Sequence, residues 1–496
     1  MNKLKKIKTI GAITVAFLLS FSAYAETKNA EYLIKITADE SKNVNFMQDL
    51  KSLGLKQETL TEEWLLVTGP SSQVKTLLNS KSSGIIEYVQ PNYKISLMEE
   101  YKIEDSLRRA ALQKFLARNP ELKEKAARND NPEIPQVPSN SSGNDPLFNN
   151  QWGMLDIGTT NAWSVSRGNN KIIVAVIDTG VDYTHEDLLP NIWRNSGETG
   201  KDAMGRDKSA NGVDDDNNGY VDDVIGWDFV KNDNKPYDLA TGGFSMMLGG
   251  GNPGHGTHCA GNVAARGQNG MGISGVAPNA QIMPLRFISE KGKGTTADAI
   301  KAIKYAVDNG AKVLSNSWGS EGENPRENEE NKALQDAIAY AQGKGVLFVA
   351  AAGNGHKGKG YDNDSDPRPA YPASYPHDNI ISVAAIDSSD QLGSFSNWGV
   401  KSVDIGAPGV KVYSTMVGNK YSDIVSSSLG GKVTWNGTSM ACPHVAGAAA
   451  LYWSANPGKT AAEVKAALLG SAKKTSSLEN KTTSGGKLDV QALMRY

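Results

Sequence analysis

Cysteine is scarce in this chain of 496 residues, which contains only Cys259 and Cys442. Two cysteines exclude a scaffold built on disulfides and leave room for one bridge. An excess of charge is also missing, because 52 basic and 54 acidic residues give a formal net charge of −2. No strongly basic domain stands out, so we exclude nucleic acid as a main partner.

Long apolar runs are missing beyond the first 25 residues, so we expect no later segment to span a membrane. The chain opens with the basic stretch MNKLKKIK, continues with the short apolar run TIGAITVAFLLSF and then reaches Ala23-Tyr24-Ala25. This pattern is typical of a secretory signal peptide with an A-x-A cleavage site. We therefore predict a signal peptide over residues 1–25 and a secreted protein, either extracellular or periplasmic.

The length of the chain predicts more than one folded unit. Residues 26–98 contain the strand-like segments EYLIKI, EWLLVTG, GIIEYV and YKISL, with helical patterns near residues 43–53 and 71–78. This order predicts a small α+β unit with the chain order β-α-β-β-α-β. Residues 99–143 are rich in charge and then in Pro, Ser and Asn, which predicts a polar linker.

Residues 144–496 alternate between strand and helix signals. KIIVAVIDTG, AKVLSNSWG, GVLFVAAAGN and NIISVAAID are nearly continuous apolar runs, as expected of parallel strands that are covered on both faces. Helical patterns such as TTADAIKAIKYAVDNG lie between them and end on glycine. We predict an α/β fold with a doubly wound, mostly parallel sheet and helices on both faces. Ligands of such folds bind at the carboxyl ends of the strands.

Three polar residues fall at positions of this kind. Asp178 ends the strand IVAVID, His255 opens the helical segment HGTHCAG, and Ser439 opens the helix of GTSMACPHVAG. A serine hydroxyl becomes a nucleophile when an imidazole accepts its proton, and a carboxylate fixes the tautomer of that imidazole. At a helix N-terminus, free backbone N–H groups also favour the negative charge that develops during attack. The pattern predicts nucleophilic catalysis.

The segments VIDTGVDYTHEDL, HGTHCAG, AAAGN and GTSMACPHVAG resemble, in content and in order, those of the subtilisin-like serine peptidases, or subtilases. The order Asp, His, Ser is that of subtilisin itself. The resemblance covers residues 144–496 and implies a subtilisin-like peptidase domain. It implies an orienting acid, a general base, a nucleophile and an oxyanion-binding amide, which are Asp178, His255, Ser439 and Asn354. It also implies a substrate-binding strand that includes Ser315, Ser317, Trp318 and Gly319.

The function implied by this resemblance is a secreted serine endopeptidase that works through an acyl-enzyme on Ser439. Residues 26–98 resemble the propeptide of the family, which assists folding and inhibits the enzyme until its removal, so we expect a self-processed zymogen. We expect a monomer that acts on protein or peptide substrates. Two alternatives stay open: a non-catalytic binding protein with the subtilase fold, and a triad hydrolase that acts mainly on esters.

Calcium is the one cofactor that the sequence suggests. The segment NGVDDDNNGYVDDVIG carries oxygen-bearing side chains at spaced positions around a glycine, namely Asp214, Asp216, Asn218 and Asp222. This resembles the first half of a calcium loop, although Ile225 stands where an EF-hand has its bidentate Glu. The alternative is a solvated acidic loop. The subtilase resemblance implies a further structural calcium site with Asp145, Asp187 and Asn269.

We predict structural roles for four side chains near these motifs. We expect His258 and His444 to be structural rather than catalytic. We expect Cys259 and Cys442 to be buried thiols that act as small apolar groups, with a disulfide bridge as the alternative.

Overall fold

The computed structural model of the chain divides into two compact units, Met1–Asn92 and Tyr93–Tyr496. It describes residues 30–37, 40–79, 85–97, 114, 117–118, 132–133, 144–241, 251–322, 330–356, 358–428 and 431–496. The predicted signal peptide and nearly all of the predicted linker lie outside the described residues. Within the described ranges, no helix has both the length and the apolar character needed to cross a membrane.

The first unit is a four-stranded antiparallel sheet with two helices. Its elements are β1 (Ala30–Ile36), α1 (Glu40–Ser52), β2 (Lys56–Thr59), β3 (Trp64–Gly69), α2 (Ser71–Leu78) and β4 (Ile86–Pro91). The strand order across the sheet is β2-β3-β1-β4. The chain order is the predicted β-α-β-β-α-β. The sequence does not predict β2 itself, because its residues are all exposed and show no apolar alternation.

The predicted strand YKISL forms a short strand of the second unit, β5 (Lys94–Ser96). It pairs in antiparallel fashion with β9 (Lys293–Thr295). Ser96 also forms an antiparallel bridge with Gly319 on its other side. The apolar side chains of this segment, Ile95 and Leu97, are buried. The YKISL segment therefore lies between two strands of the larger unit rather than in the small sheet.

The second unit is built on a nine-stranded sheet. Its strands are β6 (Ile173–Asp178), β7 (Trp227–Asp228), β8 (Gln281–Arg286), β10 (Val313–Asn316), β12 (Leu347–Ala351), β14 (Ile380–Ile386), β15 (Ile405–Pro408), β20 (Lys473–Lys474) and β21 (Gly486–Lys487). The spatial order is β20-β21-β15-β14-β12-β10-β6-β8-β7. All neighbouring strands run parallel except β20 and β21.

Shorter ribbons and helices complete the second unit. Besides the β5–β9 pair, two-stranded ribbons join β11 (Ser320–Glu321) to β13 (Ala370–Tyr371), β16 (Ser414–Met416) to β17 (Lys420–Ser422), and β18 (Ile424–Ser428) to β19 (Gly431–Thr434). Its helices are α3 (Trp152–Asp156), α4 (Thr159–Ala162), α5 (His255–Ala264), α6 (Thr296–Asp308), α7 (Lys332–Gly343), α8 (Thr438–Ala455), α9 (Ala461–Gly470) and α10 (Val490–Leu493).

Helices cover both faces of the nine-stranded sheet. On β6, Val174 and Val176 belong to the same buried cluster as residues of α5 and α8, whereas Ala175 and Ile177 are buried outside that cluster. Because side chains alternate along a strand, Ala175 and Ile177 face the other side. Helix α6 contacts β6 and β8, and α7 contacts β12. The doubly wound α/β fold predicted from the sequence is confirmed.

Helix α8 is apolar all round because it is buried along nearly its whole length. Small residues let it approach α5 closely. A Cβ placed on Gly447 would lie 2.8 Å from the Cβ of Val276 and 2.9 Å from the carbonyl oxygen of Val263. This close packing fixes the N-terminus of α8 relative to the helix that begins at His255.

The polar residues that the sequence analysis singled out lie where strands end and helices begin. Strand β6 ends at Asp178, and Asn354 follows the end of β12. Ser317 follows the end of β10. Helices α5 and α8 begin at His255 and Thr438. Because the strands are parallel, their carboxyl ends meet along one edge of the sheet.

Candidate active site

The strand-end carboxylate and the helix-start imidazole are hydrogen bonded. Nδ1 of His255 lies 2.8 Å from Oδ1 of Asp178, and both side chains are buried. The backbone N–H of Thr179 donates to the same carboxylate oxygen at 2.7 Å. Burial is the largest influence and disfavours the charged imidazole, but the Asp178 carboxylate and the Cys259 side chain together raise the pKa of His255 well above its ordinary value. The pair is therefore built to stabilise an imidazolium.

Glycine allows the His255 helix to approach the end of β6. A Cβ on Gly256 would overlap the carbonyl oxygen of Gly180 and lie 3.1 Å from the Cβ of Asp178. Gly254, which precedes the helix, has a φ of 91°, in the left-handed region that glycine adopts without strain. Close packing therefore requires glycine at position 256, and a left-handed backbone favours it at position 254.

Ser439 lies one residue inside the N-terminus of α8 and is almost fully buried. Its Oγ donates to the carbonyl of Ser317 at 3.1 Å, and Oγ of Ser317 donates to the carbonyl of Ser439 at 2.8 Å. Sγ of Cys259, on the His255 helix, lies 3.5 Å from the Ser439 carbonyl oxygen and 3.9 Å from Nδ1 of His255. One thiol therefore contacts both the serine and the histidine residue.

The Asn354 amide is oriented through its oxygen, and its Nδ2 points toward the space beside Gly437. Its Oδ1 accepts from the backbone N–H and the hydroxyl of Thr438, at 2.9 and 2.7 Å. The Thr438 hydroxyl in turn accepts from the N–H of Gly353 at 3.1 Å. A Cβ placed on Gly437 would lie 3.3 Å from Nδ2 of Asn354 and 3.5 Å from the backbone N of Ser439. Two N–H donors thus border one small space, an arrangement suited to binding an oxyanion.

The four residues assigned to the substrate strand differ in orientation. Gly319 exchanges backbone hydrogen bonds with Ser96 at 3.3 and 3.4 Å, and Ser317 faces Ser439. Trp318 is fully buried, with its ring centroid 4.9 Å from that of Phe287. Ser315 has its Oγ 4.0 Å from Sγ of Cys442 in the interior. Only Ser317 and Gly319 therefore face the nucleophile and the added strand; the side chains of Trp318 and Ser315 do not.

In the segment NGVDDDNNGYVDDVIG, residues 211–226, the carboxylates that lie close together differ from those predicted from the sequence. Asp214 accepts from the N–H groups of Asn218 and Gly219, and Asp222 accepts from that of Gly212, so both serve turns within the loop. Carboxylate oxygens of three acids, Glu198, Asp216 and Asp223, lie within 4.8 Å of one another. Asn218 joins this group, since its Nδ2 donates to Asp223 at 2.9 Å.

This three-acid group, Glu198, Asp216 and Asp223, has the features of a cation site. Glu198 is fully buried, and its Oε2 has no hydrogen-bond partner among the described residues. Burial, together with neighbouring acids, raises the pKa of Asp223 to about 6 and also raises that of Glu198. An orphaned oxygen beside crowded carboxylates fits a hard cation with oxygen ligands.

The three side chains of the second predicted site lie close together. Asn269 Nδ2 donates to Asp187 at 2.7 Å, and the backbone N–H of Asn269 donates to Asp145 at 3.3 Å. Burial raises the pKa of both carboxyl groups, and their mutual repulsion adds to that of Asp145. Gly272 is required here, because a Cβ would overlap the Asp187 carboxylate. These three oxygen-bearing side chains would suit calcium as well.

A model of the family described as the subtilase family matches residues 169–487, which is more than half of the chain. The chain belongs to the subtilase family. It is 37% identical over 326 residues to the thermophilic serine proteinase of Bacillus sp. (strain AK1), covering 66% of this chain and 62% of that protein. It is 36% identical over 334 residues to thermitase of Thermoactinomyces vulgaris, covering 67% of this chain and 92% of thermitase.

The subtilisin-like fold is confirmed by a solved structure. The crystal structure of fervidolysin from Fervidobacterium pennivorans, a keratinolytic enzyme related to subtilisin, is similar to this subtilase with a TM-score of 0.64 at 25% identity. The match covers 95% of this chain and 62% of that chain.

His258, His444 and the two thiols near the site are buried in this subtilase. Nε2 of His258 faces the carbonyl of Val412 at 3.0 Å, and burial holds its pKa well below the ordinary value. Burial likewise lowers the pKa of His444 to about 4. Cys259 and Cys442 are free, buried thiols, and burial raises the pKa of both. Such groups neither carry charge near neutral pH nor act as nucleophiles.

Sequence reasoning missed three residues that shape these sites. Thr438 orients the Asn354 amide, and its place between Gly437 and Ser439 was the available signal. Glu198 and Asp223 join the acidic group, but Glu198 lies 18 residues before Asp216 in an unpatterned segment. No spacing rule points to Glu198.

Proposed function

We propose that this subtilase is a secreted serine endopeptidase that hydrolyses peptide bonds through an acyl-enzyme on Ser439. The observation that carries the proposal is the hydrogen-bonded Asp178–His255 pair beside a helix-start serine. The Asn354 amide and the Ser439 N–H border one space next to it. The proposal that the protein is secreted depends on the signal-peptide pattern alone. We also propose that the enzyme is a monomer.

The catalytic cycle follows from the roles of four groups. Rotation of the Ser439 side chain away from the Ser317 carbonyl brings its hydroxyl to His255, which takes the proton as Oγ attacks the substrate carbonyl. The Ser439 N–H and Asn354 Nδ2 hold the oxyanion of the tetrahedral intermediate. His255 then gives its proton to the leaving amine, and Asp178 stabilises the imidazolium meanwhile. Water, deprotonated by His255, releases the acyl group by the same steps in reverse.

We propose that residues 26–98 are an inhibitory propeptide whose end occupies the substrate cleft. Ser96 pairs with Gly319, and the N–H of Leu97 donates to the Gly292 carbonyl at 3.1 Å, so the segment is bound as an added strand between two others. A peptide substrate would bind in the same extended form. Extended backbone recognition favours peptides over small esters.

The register of this added strand suggests where the chain is cut. In an antiparallel pair, two steps forward on one strand correspond to two steps back on the other. Two steps past Ser96 is Met98, which lies outside the described residues, and two steps before Gly319 is Ser317, whose carbonyl accepts from Ser439. We therefore expect the maturation cut between Met98 and Glu99, with further trimming of residues 99–143 afterwards.

N-terminal sequencing and casein hydrolysis test these proposals. Early in maturation, before residues 99–143 are trimmed, wild-type protein should release a chain that begins at Glu99. Ser439→Ala protein should keep its front end and leave casein intact. Processing of the Ser439→Ala protein would show that another enzyme makes the cut. A matured wild-type chain that never hydrolyses casein would instead support one of the two alternatives. Hydrolysis of an ester substrate would then indicate the esterase, and no hydrolysis would indicate the non-catalytic binding protein.

We also propose structural calcium. Glu198, Asp216, Asp223 and Asn218 would hold one ion, and Asp145, Asp187 and Asn269 another. Bound calcium would neutralise crowded carboxylates and tie the loops that carry them, without taking part in catalysis. For the first site, support comes from the orphaned, buried Oε2 of Glu198.

A further inference from the structure

A buried carboxylate that the proposed catalytic cycle does not use lies beside the Asp178–His255 pair. Asp238 is fully buried and accepts four hydrogen bonds. Its Oδ1 accepts from the Thr179 hydroxyl at 3.0 Å and from Asn252 Nδ2 at 2.5 Å. Its Oδ2 accepts from the backbone N–H and the hydroxyl of Thr257, at 2.9 and 2.6 Å. A site of this kind requires a reason, because burying a carboxylate is costly.

Asp238 is held in its ionised form. Each of its oxygens accepts from an N–H group, which cannot reverse and become an acceptor. Burial raises its pKa to about 6 in spite of these hydrogen bonds, so the carboxylate is charged at neutral pH and above. Its charge also lies at the N-terminus of α5, where the helix dipole favours an anion.

The groups that bind Asp238 belong to the two elements that carry the catalytic pair. Thr179 directly follows Asp178, and its hydroxyl also accepts from the N–H of Gly256 at 2.9 Å. Thr257 lies two residues after His255 in α5. The Asn252 side chain donates to Asp238, while its Oδ1 accepts from the N–H of His255 at 3.0 Å. One carboxylate therefore links the end of β6 to the first turn of α5.

We propose that Asp238 is a positioning residue, which sets the distance and the ring orientation between Asp178 and His255. It does not touch the substrate; it acts through Thr179, Asn252 and Thr257. Small errors in the placement of a catalytic base are expensive, about 10²-fold for a displacement near 1 Å. The inference rests on the proposed peptidase function, because the pair it positions has to be the catalytic one.

Asp238→Asn is the most informative substitution. The asparagine side chain has nearly the same shape, but it replaces one of the two acceptor oxygens with an NH₂ donor. Whichever way the new amide turns, its NH₂ group faces an N–H donor, either Asn252 Nδ2 or the Thr257 N–H. We expect kcat on a peptide substrate to fall by about 10–100-fold with KM nearly unchanged, a loss of the size seen when outer-shell residues that orient metal ligands are replaced. Thr257→Val removes one hydroxyl donor to Asp238, and with it the acceptor of the Asp182 N–H at 2.9 Å. It should lower kcat by a smaller factor, and it decides the question if Asp238→Asn does not fold.

Asp404→Asn is the matched control. Asp404 is also buried, accepts from the N–H of Ser382 at 2.8 Å and lies 3.5 Å from Lys465, but it precedes β15 at the opposite edge of the sheet. This variant should lose thermal stability and keep kcat. Equal losses of kcat in both variants would overturn the proposal, and so would a folded Asp238→Asn enzyme with wild-type kcat.

A proton NMR signal separates positioning from mere stability. The His255 Nδ1–H that faces Asp178 should give a low-field resonance in the Ser439→Ala protein. Asp238→Asn in that background should shift or broaden the resonance, whereas Asp404→Asn should not. An unchanged resonance would contradict positioning. If wild-type protein failed to hydrolyse casein, the proposed function would fall, yet this measurement would still report whether Asp238 orients the ring.

Discussion

Replacing Asn354 by leucine removes one of the two N–H donors that border the proposed oxyanion space. Leucine has nearly the same size, so the change deletes Nδ2 with little loss of packing. Loss of one such donor lowers kcat by about 10²–10³-fold, or about 2.7–4 kcal/mol, a range measured on subtilisin, a member of this family. The same change strands the N–H and hydroxyl of Thr438, which lose their acceptor, at about 1–3 kcal/mol of stability each.

Two further variants separate these effects. Asn354→Asp keeps an acceptor for Thr438 but points a negative oxygen at the oxyanion, so kcat should fall at least as far while stability stays closer to wild type. Asn379→Leu is the control, since Asn379 is buried and its Nδ2 donates to the Val346 carbonyl at 3.0 Å. Asn379 directly precedes β14, away from the site. This substitution should lower Tm and leave kcat unchanged.

Steady-state kinetics on a peptide substrate measure kcat, and thermal melts measure Tm. A kcat for Asn354→Leu within about threefold of wild type would refute the oxyanion assignment, because the lost donor alone accounts for about 10²-fold.

Further predictions concern calcium and pH. Excess EDTA should lower Tm by roughly 5–10 °C for each ion removed, relative to calcium at 100 times its Kd, and should speed self-digestion. Glu198→Gln should weaken this response, and Asp222→Asn, which lies outside the three-acid group, should preserve it; a Tm indifferent to EDTA would count against both ions. Because Asp178 raises the pKa of His255, the imidazole takes up its proton at a higher pH than free histidine. Since catalysis needs the neutral ring, kcat/KM should fall as pH is lowered through that raised pKa, and Asp178→Asn should move the fall to lower pH. A fall at the same pH in Asp178→Asn enzyme would contradict the pairing.

The sequence predicts the elements that bury apolar surface in a regular pattern. Strands such as β6 and β12 are apolar on both faces, so their position and the carboxyl-end placement of Asp178 and Asn354 could be read directly. Strand β2 could not be read, because an exposed edge strand needs no apolar residue. The direction of the Trp318 side chain was equally hidden, since it depends on Phe287 and Phe348 from distant segments.

Contacts between distant segments explain what the sequence does not predict about the sites. Glu198 meets Asp216 through loop geometry, and Asp238 meets Thr257 across 19 residues that include an undescribed stretch. Each is an ordinary acidic residue in sequence. The folded chain gives them a role by burying them against specific N–H and hydroxyl donors. Motif residues could be found from the sequence, whereas the residues that hold them in place could not.

The most direct test of the acyl-enzyme proposal is to locate covalent labelling by a serine-directed phosphonylating reagent. Mature wild-type protein should gain one adduct, and peptide mass spectrometry should place it on Ser439. His255→Ala protein should react far more slowly, because the hydroxyl has no base. Peptide hydrolysis that persists while Ser439 stays unlabelled, or an adduct on another serine that abolishes activity, would contradict the account.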